Sequence, residues 1–206
     1  MMTPRFTAYS PDPVTVARRL LGQRLVRIVD GHRLAGTIVE VEAYLGARDQ
    51  AAHTYRGRRT ARNESMYLAG GHAYVYLTYG MHHCLNVVCG QAGNGVAVLL
   101  RALEPTQGID QMFANRRIAN HERDLCSGPA KLTQALGIDR ALDGVDLRRG
   151  RFLFVEQLRP RPFPPSRVVR TARVGVESAG AWARRRLRFH IKDHPHVSGR
   201  QTRAKT

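Results

Sequence analysis

Two carboxylates and an aromatic ring fall on one face of a strand-like run near the start of this chain, and a histidine follows a short loop later. Over residues 37–53, TIVEVEAYLGARDQAAH, strict alternation puts Glu40, Glu42 and Tyr44 on one face and Val39, Val41 and Ala43 on the other. A half-buried strand buries its apolar face and wets its polar one. With His53 close behind, the polar face has the composition of a pocket that holds a flat ligand and supplies a general base. Alternation alone does not choose between Glu40 and Glu42. Charged strand faces are more often merely solvated, so the reading needs support from elsewhere in the chain.

A second segment supplies some. Residues 74–86, YVYLTYGMHHCLN, put Tyr74 and Tyr76 on one strand face and then turn at Tyr79-Gly80-Met81-His82. A large aromatic at an exposed turn tip, in a basic protein, is a candidate wedge between base pairs. A tyrosine packed back onto the sheet is as common. His82, His83 and Cys84 are adjacent, so a strand would point them to opposite faces, and no metal site is expected. Cys84, Cys89 and Cys126 have no CxxC spacing and read as reduced thiols of a cytoplasmic protein.

The charge identifies a class of partner. The 206 residues carry 33 Lys and Arg against 16 Asp and Glu, a formal net charge of +17. Such an excess is the footprint of a polyanion, most simply nucleic acid. No apolar run approaches the ~18 residues of a membrane span, and 43% hydrophobic content suits an ordinary core.

The surrounding pattern gives the elements that must position these residues. Asp12-Pro13 starts a helix whose buried stripe is Val16, Ala17, Leu20 and Leu21, with Gly22 as the stop. Strands over 25–29 and 34–45 are joined by Asp30-Gly31, a hairpin signal. Residues 47–71 form a long polar loop with Arg56, Arg58, Arg59 and Arg62. Further strands are expected over 72–78, 84–89, 96–103, 152–155, 168–176 and 187–191. One helix is expected within 107–119 and another from 127 to 137. Residues 159–166, RPRPFPPS, cannot join a sheet centrally. A basic frayed tail is expected over 198–206. Hairpins outnumber strand–helix alternation, so the fold class expected is a single α+β domain, 1–206, around a mainly antiparallel sheet flanked by helices.

VEVEAYLGARDQAAH, RGRRTARNESMY, HAYVYLTYGMHHCLNVV, VLLRALEP and LCSGPAKLTQAL stand here in order. Together they closely resemble the alkyladenine (3-methyladenine) DNA glycosylases of the bacterial and mammalian type. The resemblance runs from about Ala17 to Leu136 and resumes weakly at RVGVE and LRFHIKDHPHVS. It implies a curved antiparallel sheet and excision of alkylated or deaminated purines from duplex DNA. It also implies roles position by position. Glu42 falls at the water-activating carboxylate. Tyr44, His53 and Tyr76 fall at the positions that sandwich and contact the flipped base. Tyr79 matches the wedge that enters the minor groove, with Met81 and His82 beside it. Asn86 matches the side chain that crowds the 2-amino group of guanine, and Arg101 a basic residue lining the site. His82 stands where mammalian relatives have an aromatic residue.

The chemistry needs no metal and no cofactor. A strand-nicking enzyme would need an amine nucleophile, and no lysine precedes Lys131, so a monofunctional enzyme acting as a monomer on damaged double-stranded DNA is expected. Arg58, Arg59 and Arg62 are candidates for the DNA backbone. Two other classes compete: a non-enzymatic nucleic-acid-binding domain, which leaves the Glu42, Tyr44, His53 and Tyr76 cluster unexplained, and a hydrolase of free nucleosides, which does not need the arginine-rich surface.

Overall fold

The computed structural model describes residues 3–199. Its strands are β1 (Arg24–Val29), β2 (His32–Tyr44), β3 (Ala73–Thr78), β4 (His82–Cys89), β5 (Val96–Gln107), β6 (Leu153–Glu156), β7 (Val168–Thr171) and β8 (Arg188–Ile191). They make one antiparallel sheet in the order β3-β4-β5-β2-β1-β6, and β8, which pairs with β7, adds to the same edge of β2 beyond β1. The sheet curls into a half-barrel flanked by α1 (Pro13–Leu20), α2 (Ile109–Asn115), α3 (Glu122–Leu125) and α4 (Pro129–Ala135). This is the expected α+β class.

Local signals explain the elements that were readable. Asp12 caps α1 by accepting from the Val14 and Thr15 amides at 3.1 and 3.0 Å, and Pro13 occupies the first turn. Asp30 and Gly31 both have positive φ, 49° and 75°, as a two-residue hairpin requires. One face of the sheet carries the main core: Leu25, Val41, Val75, Leu85, Val87 and Leu100 cluster with Val16 and Leu20 of α1 and Leu132 and Ala135 of α4.

Two register slips between β2 and β5 build the site. Ile38 pairs with Leu103 and Glu40 with Ala102, so Val39 is an extra residue on β2; Val41 then pairs with Leu100, so Arg101 is an extra residue on β5. Bulges recur beside active sites because they re-aim side chains. Here Ile38 and Val39 both enter the core, as do Ala102 and Leu103. Arg101 is left on the opposite face, beside Glu40 and Glu42.

Several expectations need correction. The polar face of β2 is not wet, because Glu40 and Glu42 are fully buried under the chain's C-terminal third. The strand expected over 168–176 stops at Thr171, where the chain leaves the sheet edge. The polar loop expected over 47–71 carries three short 3₁₀ turns, Gly46–Arg48, Tyr55–Gly57 and Glu64–Tyr67, and α3 is an element that the sequence pattern does not predict. Most of the expected tail lies outside the described residues, but Ser198 is not frayed: it is buried against Glu40. No helix among the described residues is long and apolar enough to cross a membrane.

Candidate active site

On the sheet face opposite the main core, β2, β3, β4 and β5 floor a cavity of about 380 Å³. Tyr44, His53, Tyr74, Tyr76, Asn86 and Arg101 all line it. Tyr74 and Tyr76 stack at 5.2 Å between centroids, and the His53 ring meets Tyr76 edge-on at 4.6 Å. The Tyr74 hydroxyl lies 2.7 Å from His53 Nδ1. Desolvation first, then the cations of Arg62 and Arg58, push the His53 imidazole below its usual pKa. Burial pushes the Tyr74 hydroxyl up, so it keeps its proton. The wall is therefore aromatic and neutral, and suits the face of a planar ring.

The two carboxylates differ in their partners. Glu40 is saturated: Arg101 Nε and Arg188 Nε donate to Oε1 at 2.8 and 2.6 Å, as does Ser198 Oγ at 2.8 Å, and the Ser198 amide donates to Oε2 at 2.5 Å. Burial pushes its carboxyl up, but Arg101 and Arg188 outweigh that and hold it below the ordinary range. Glu42 has fewer donors. Val174 N–H donates to Oε1 at 2.8 Å, Tyr44 OH donates to Oε2 at 2.9 Å, and Arg101 Nη1 stands 3.3 Å from Oε1. Burial dominates there and raises the Glu42 pKa, opposed by Arg101 and then by the Val174 and Tyr44 hydrogen bonds. Glu42 lies behind the cavity wall, and the three residues that hold it, Tyr44, Arg101 and Val174, are lining residues. Glu40, with four donors, is a structural anchor, while Glu42 has three, of which one is on Oε2.

Asn86 sits opposite Tyr74 in the β3–β4 pair, is buried, and donates from Nδ2 to the Tyr74 carbonyl at 3.2 Å. The β3–β4 hairpin closes at the rim. Tyr79 has φ +50°, a left-handed conformation unusual for an aromatic residue, and is 87% exposed. Tyr79 and His82 line the cavity mouth, and Met81 is exposed beside them. Arg62 lines the cavity and donates to the Leu77 carbonyl at 2.7 Å. Arg58 lines an adjoining smaller hollow. Arg59 is turned away, ion-paired with Glu64 and stacked over Tyr67.

A family model of methylpurine-DNA glycosylase matches residues 7–195. The chain belongs to this family. Similar relatives named DNA-3-methyladenine glycosylase include one from Mus musculus, 46% identical over 92% of this chain and 59% of the relative, and one from Homo sapiens, 45% identical over 92% of this chain and 66% of the relative. A relative from Carboxydothermus hydrogenoformans named putative 3-methyladenine DNA glycosylase is 47% identical over 96% of this chain and 99% of its own length. The chain thus spans about three fifths of the mouse relative and nearly all of the bacterial one.

Several residues of the site carry little signal in the sequence. Val174, Arg188 and Ser198 belong to RVGVE and LRFHIKDHPHVS, the two stretches where motif resemblance is thinnest. These stretches supply the partners of Glu42 and Glu40. Asp49 and Arg173 form a fully buried ion pair beneath the site. An acidic residue in a polar loop and an arginine among many gave no signal of their pairing.

Proposed function

We propose that this chain is a monofunctional DNA glycosylase that flips an alkylated or deaminated purine out of duplex DNA and hydrolyses its glycosidic bond, leaving an abasic site. One observation carries the reading: a buried carboxylate with a raised pKa, Glu42, stands behind a cavity that has a wall of neutral aromatic rings and a mouth that bears an exposed tyrosine. A target atom inside a duplex is unreachable, so the nucleotide must leave the stack, which costs a few kcal/mol. Tyr79 fills the gap. A weakly paired or cationic base is cheaper to extrude and stacks well against Tyr44, Tyr76 and His53. Oxocarbenium character develops at the sugar as the bond breaks, and ionised Glu42 stabilises it. The same carboxylate takes the proton of the attacking water. Asn86 crowds an exocyclic 2-amino group, and Arg58 and Arg62 track phosphate, with Arg59 able to join them only by leaving Glu64.

No lysine is among the residues lining either cavity, and Lys131 lies one position beyond the lining residue Ala130. That lining supports water, rather than an amine, as the nucleophile. The test is incubation with duplex oligonucleotides carrying hypoxanthine or ethenoadenine. Release of the free base is expected, with strand breakage only after alkali and no borohydride-trapped adduct. Binding without release would leave a nucleic-acid-binding module. Activity confined to free nucleosides would leave the competing hydrolase, and a trapped adduct would remove the monofunctional assignment.

A further inference from the structure

The loop after β7 reaches the reacting centre with little to hold it. Ala172, Val174 and Gly175 are exposed, and Arg173 between them is buried. Arg173 Nη1 donates to Asp49 Oδ2 at 2.6 Å and to the Ala43 carbonyl at 3.0 Å, and Nη2 donates to Asp49 Oδ1 at 2.8 Å. Both side chains are fully buried. Asp49 is itself fixed, accepting from the Leu45 and Ala51 amides at 3.0 Å each. Arg173 Nε finds no acceptor. Its guanidinium lies over the Tyr44 ring, 4.6 Å from the centroid. The next amide in the chain, Val174 N–H, donates to Glu42.

Burying a charged pair is costly, and a pair of apolar residues would serve a core as well. This pair does something a core contact would not. It joins the segment that supplies the Glu42 amide donor to the loop that leads into His53, and it backs the ring that stacks on the base. We propose that Asp49 and Arg173 are positioning residues of the reaction: their ion pair sets the Val174 amide on Glu42 and the guanidinium behind Tyr44. The inference rests on the glycosylase reading for its kinetic consequence, though not for its structural one.

Other groups also face Glu42. They are Arg101 from β5, Glu40 and Tyr44 from β2, Tyr76 from β3 and Cys84 from β4. Of these, only Tyr44 is touched by the substitutions that test the pair, through the guanidinium over its ring. Arg173→Lys keeps the charge but loses the bidentate geometry and the planar group over Tyr44. Asp49→Asn keeps the shape and loses the charge. The readout is the carboxyl ¹³C titration of Glu42 by NMR, assigned with Glu42→Gln, alongside single-turnover excision against pH and affinity for lesion duplex.

A misplaced Val174 amide no longer favours the ionised carboxylate, so the Glu42 midpoint should move up by roughly one unit in Arg173→Lys. The acid limb of excision should move with it, the rate at neutral pH should fall about tenfold, and affinity should hold within about threefold. Asp49→Asn should shift in the same direction. A folded Arg173→Lys variant with an unmoved Glu42 midpoint overturns the inference. So does a slower variant whose limb stays put, since that marks a merely structural pair. Failure of both variants to fold, judged by thermal melting, assigns the pair to stability alone and overturns it too. A parent protein that releases no base defeats the glycosylase reading, yet the carboxyl titration needs no DNA and still decides this question.

Discussion

Glu42 is fully buried and Tyr79 is 87% exposed, yet Tyr79 and three partners of Glu42 line one cavity. The floor is built from distant parts of the chain. β2 supplies the carboxylates, β5 the arginine between them, β8 and Ser198 the anchor of Glu40, and the loop after β7 the amide on Glu42. The tip is local, a three-residue connection held in a left-handed turn. A floor of this kind is over-determined, and its geometry cannot change without moving several elements. A tip of this kind can be altered without consulting the rest of the fold. The contrast separates chemistry from capture, and substitutions at the two places should fail in different ways.

The largest effect is expected at the floor. Glu42→Gln should abolish excision, at least by the 10²–10⁴-fold that a general base typically contributes, while lesion-duplex affinity stays near that of the parent. Gln is nearly isosteric but cannot take the water's proton. The pH profile sharpens the point. Glu42 acts ionised, and burial raises its pKa, so activity should fall as pH drops through a midpoint above the ordinary ~4.3 of a glutamate. A limb at or below that value, or turnover retained by Glu42→Gln, would move the base away from the buried floor.

Asn86→Ser comes next. The shorter side chain leaves room at the cavity wall and gives up the bond to the Tyr74 carbonyl. Excision of guanine-type lesions should rise about tenfold relative to adenine-type ones, the scale of discrimination set by a small volume change in a pocket. Equal changes for both classes, measured as single-turnover rates, would make Asn86 a structural residue of the β3–β4 pair.

Tyr79→Gly tests the tip directly. An aromatic residue in the left-handed region carries roughly 1–2 kcal/mol of strain that glycine relieves. The variant should melt no lower than the parent, and up to about 1 kcal/mol higher in stability. It should bind lesion duplex several-fold more weakly, because nothing fills the vacated stack. Loss of stability with unchanged affinity would mean that Tyr79 serves the hairpin rather than the DNA.

The same division governs what the sequence makes legible. Asp12-Pro13 and Asp30-Gly31 carry their structural meaning within two residues, and the alternation over 39–44 places both carboxylates and Tyr44 on one face. The bulges at Val39 and Arg101 belong to a register that two strands set jointly, so no single run reveals them. Strict alternation therefore finds the right face without explaining why Arg101 meets it, and it leaves that face wet. The bonds from Arg173 to Asp49 span 124 residues and those from Ser198 to Glu40 span 158. Contacts that long leave no periodicity to read, and a serine at the start of a polar, basic stretch looks like a tail until a buried carboxylate claims it.

The smallest effect concerns the rim beyond the tip, and it depends on a difference between two neighbouring arginines. Arg58 faces the hollow beside His53 and has no carboxylate partner among the described residues, whereas Arg59 is held by Glu64. Salt dependence counts phosphates neutralised, at about −0.9 in log–log slope for each. Arg58→Ala should flatten the slope for undamaged duplex by about one unit. Arg59→Ala should change it by less, because a residue already neutralised by an acidic neighbour releases fewer counterions when it meets DNA. Exposed ion pairs are worth only ~0–1 kcal/mol, so the Glu64 contact cannot compete strongly with phosphate if the loop truly lies on the backbone. Glu64→Ala then becomes the decisive companion: it should steepen the slope if Arg59 is within reach of DNA and leave it unchanged if Arg59 faces water. In neither case should the preferred lesion change, since phosphate contacts carry no base information. A change in lesion preference from Arg58→Ala would place that arginine in the cavity's chemistry rather than on its rim.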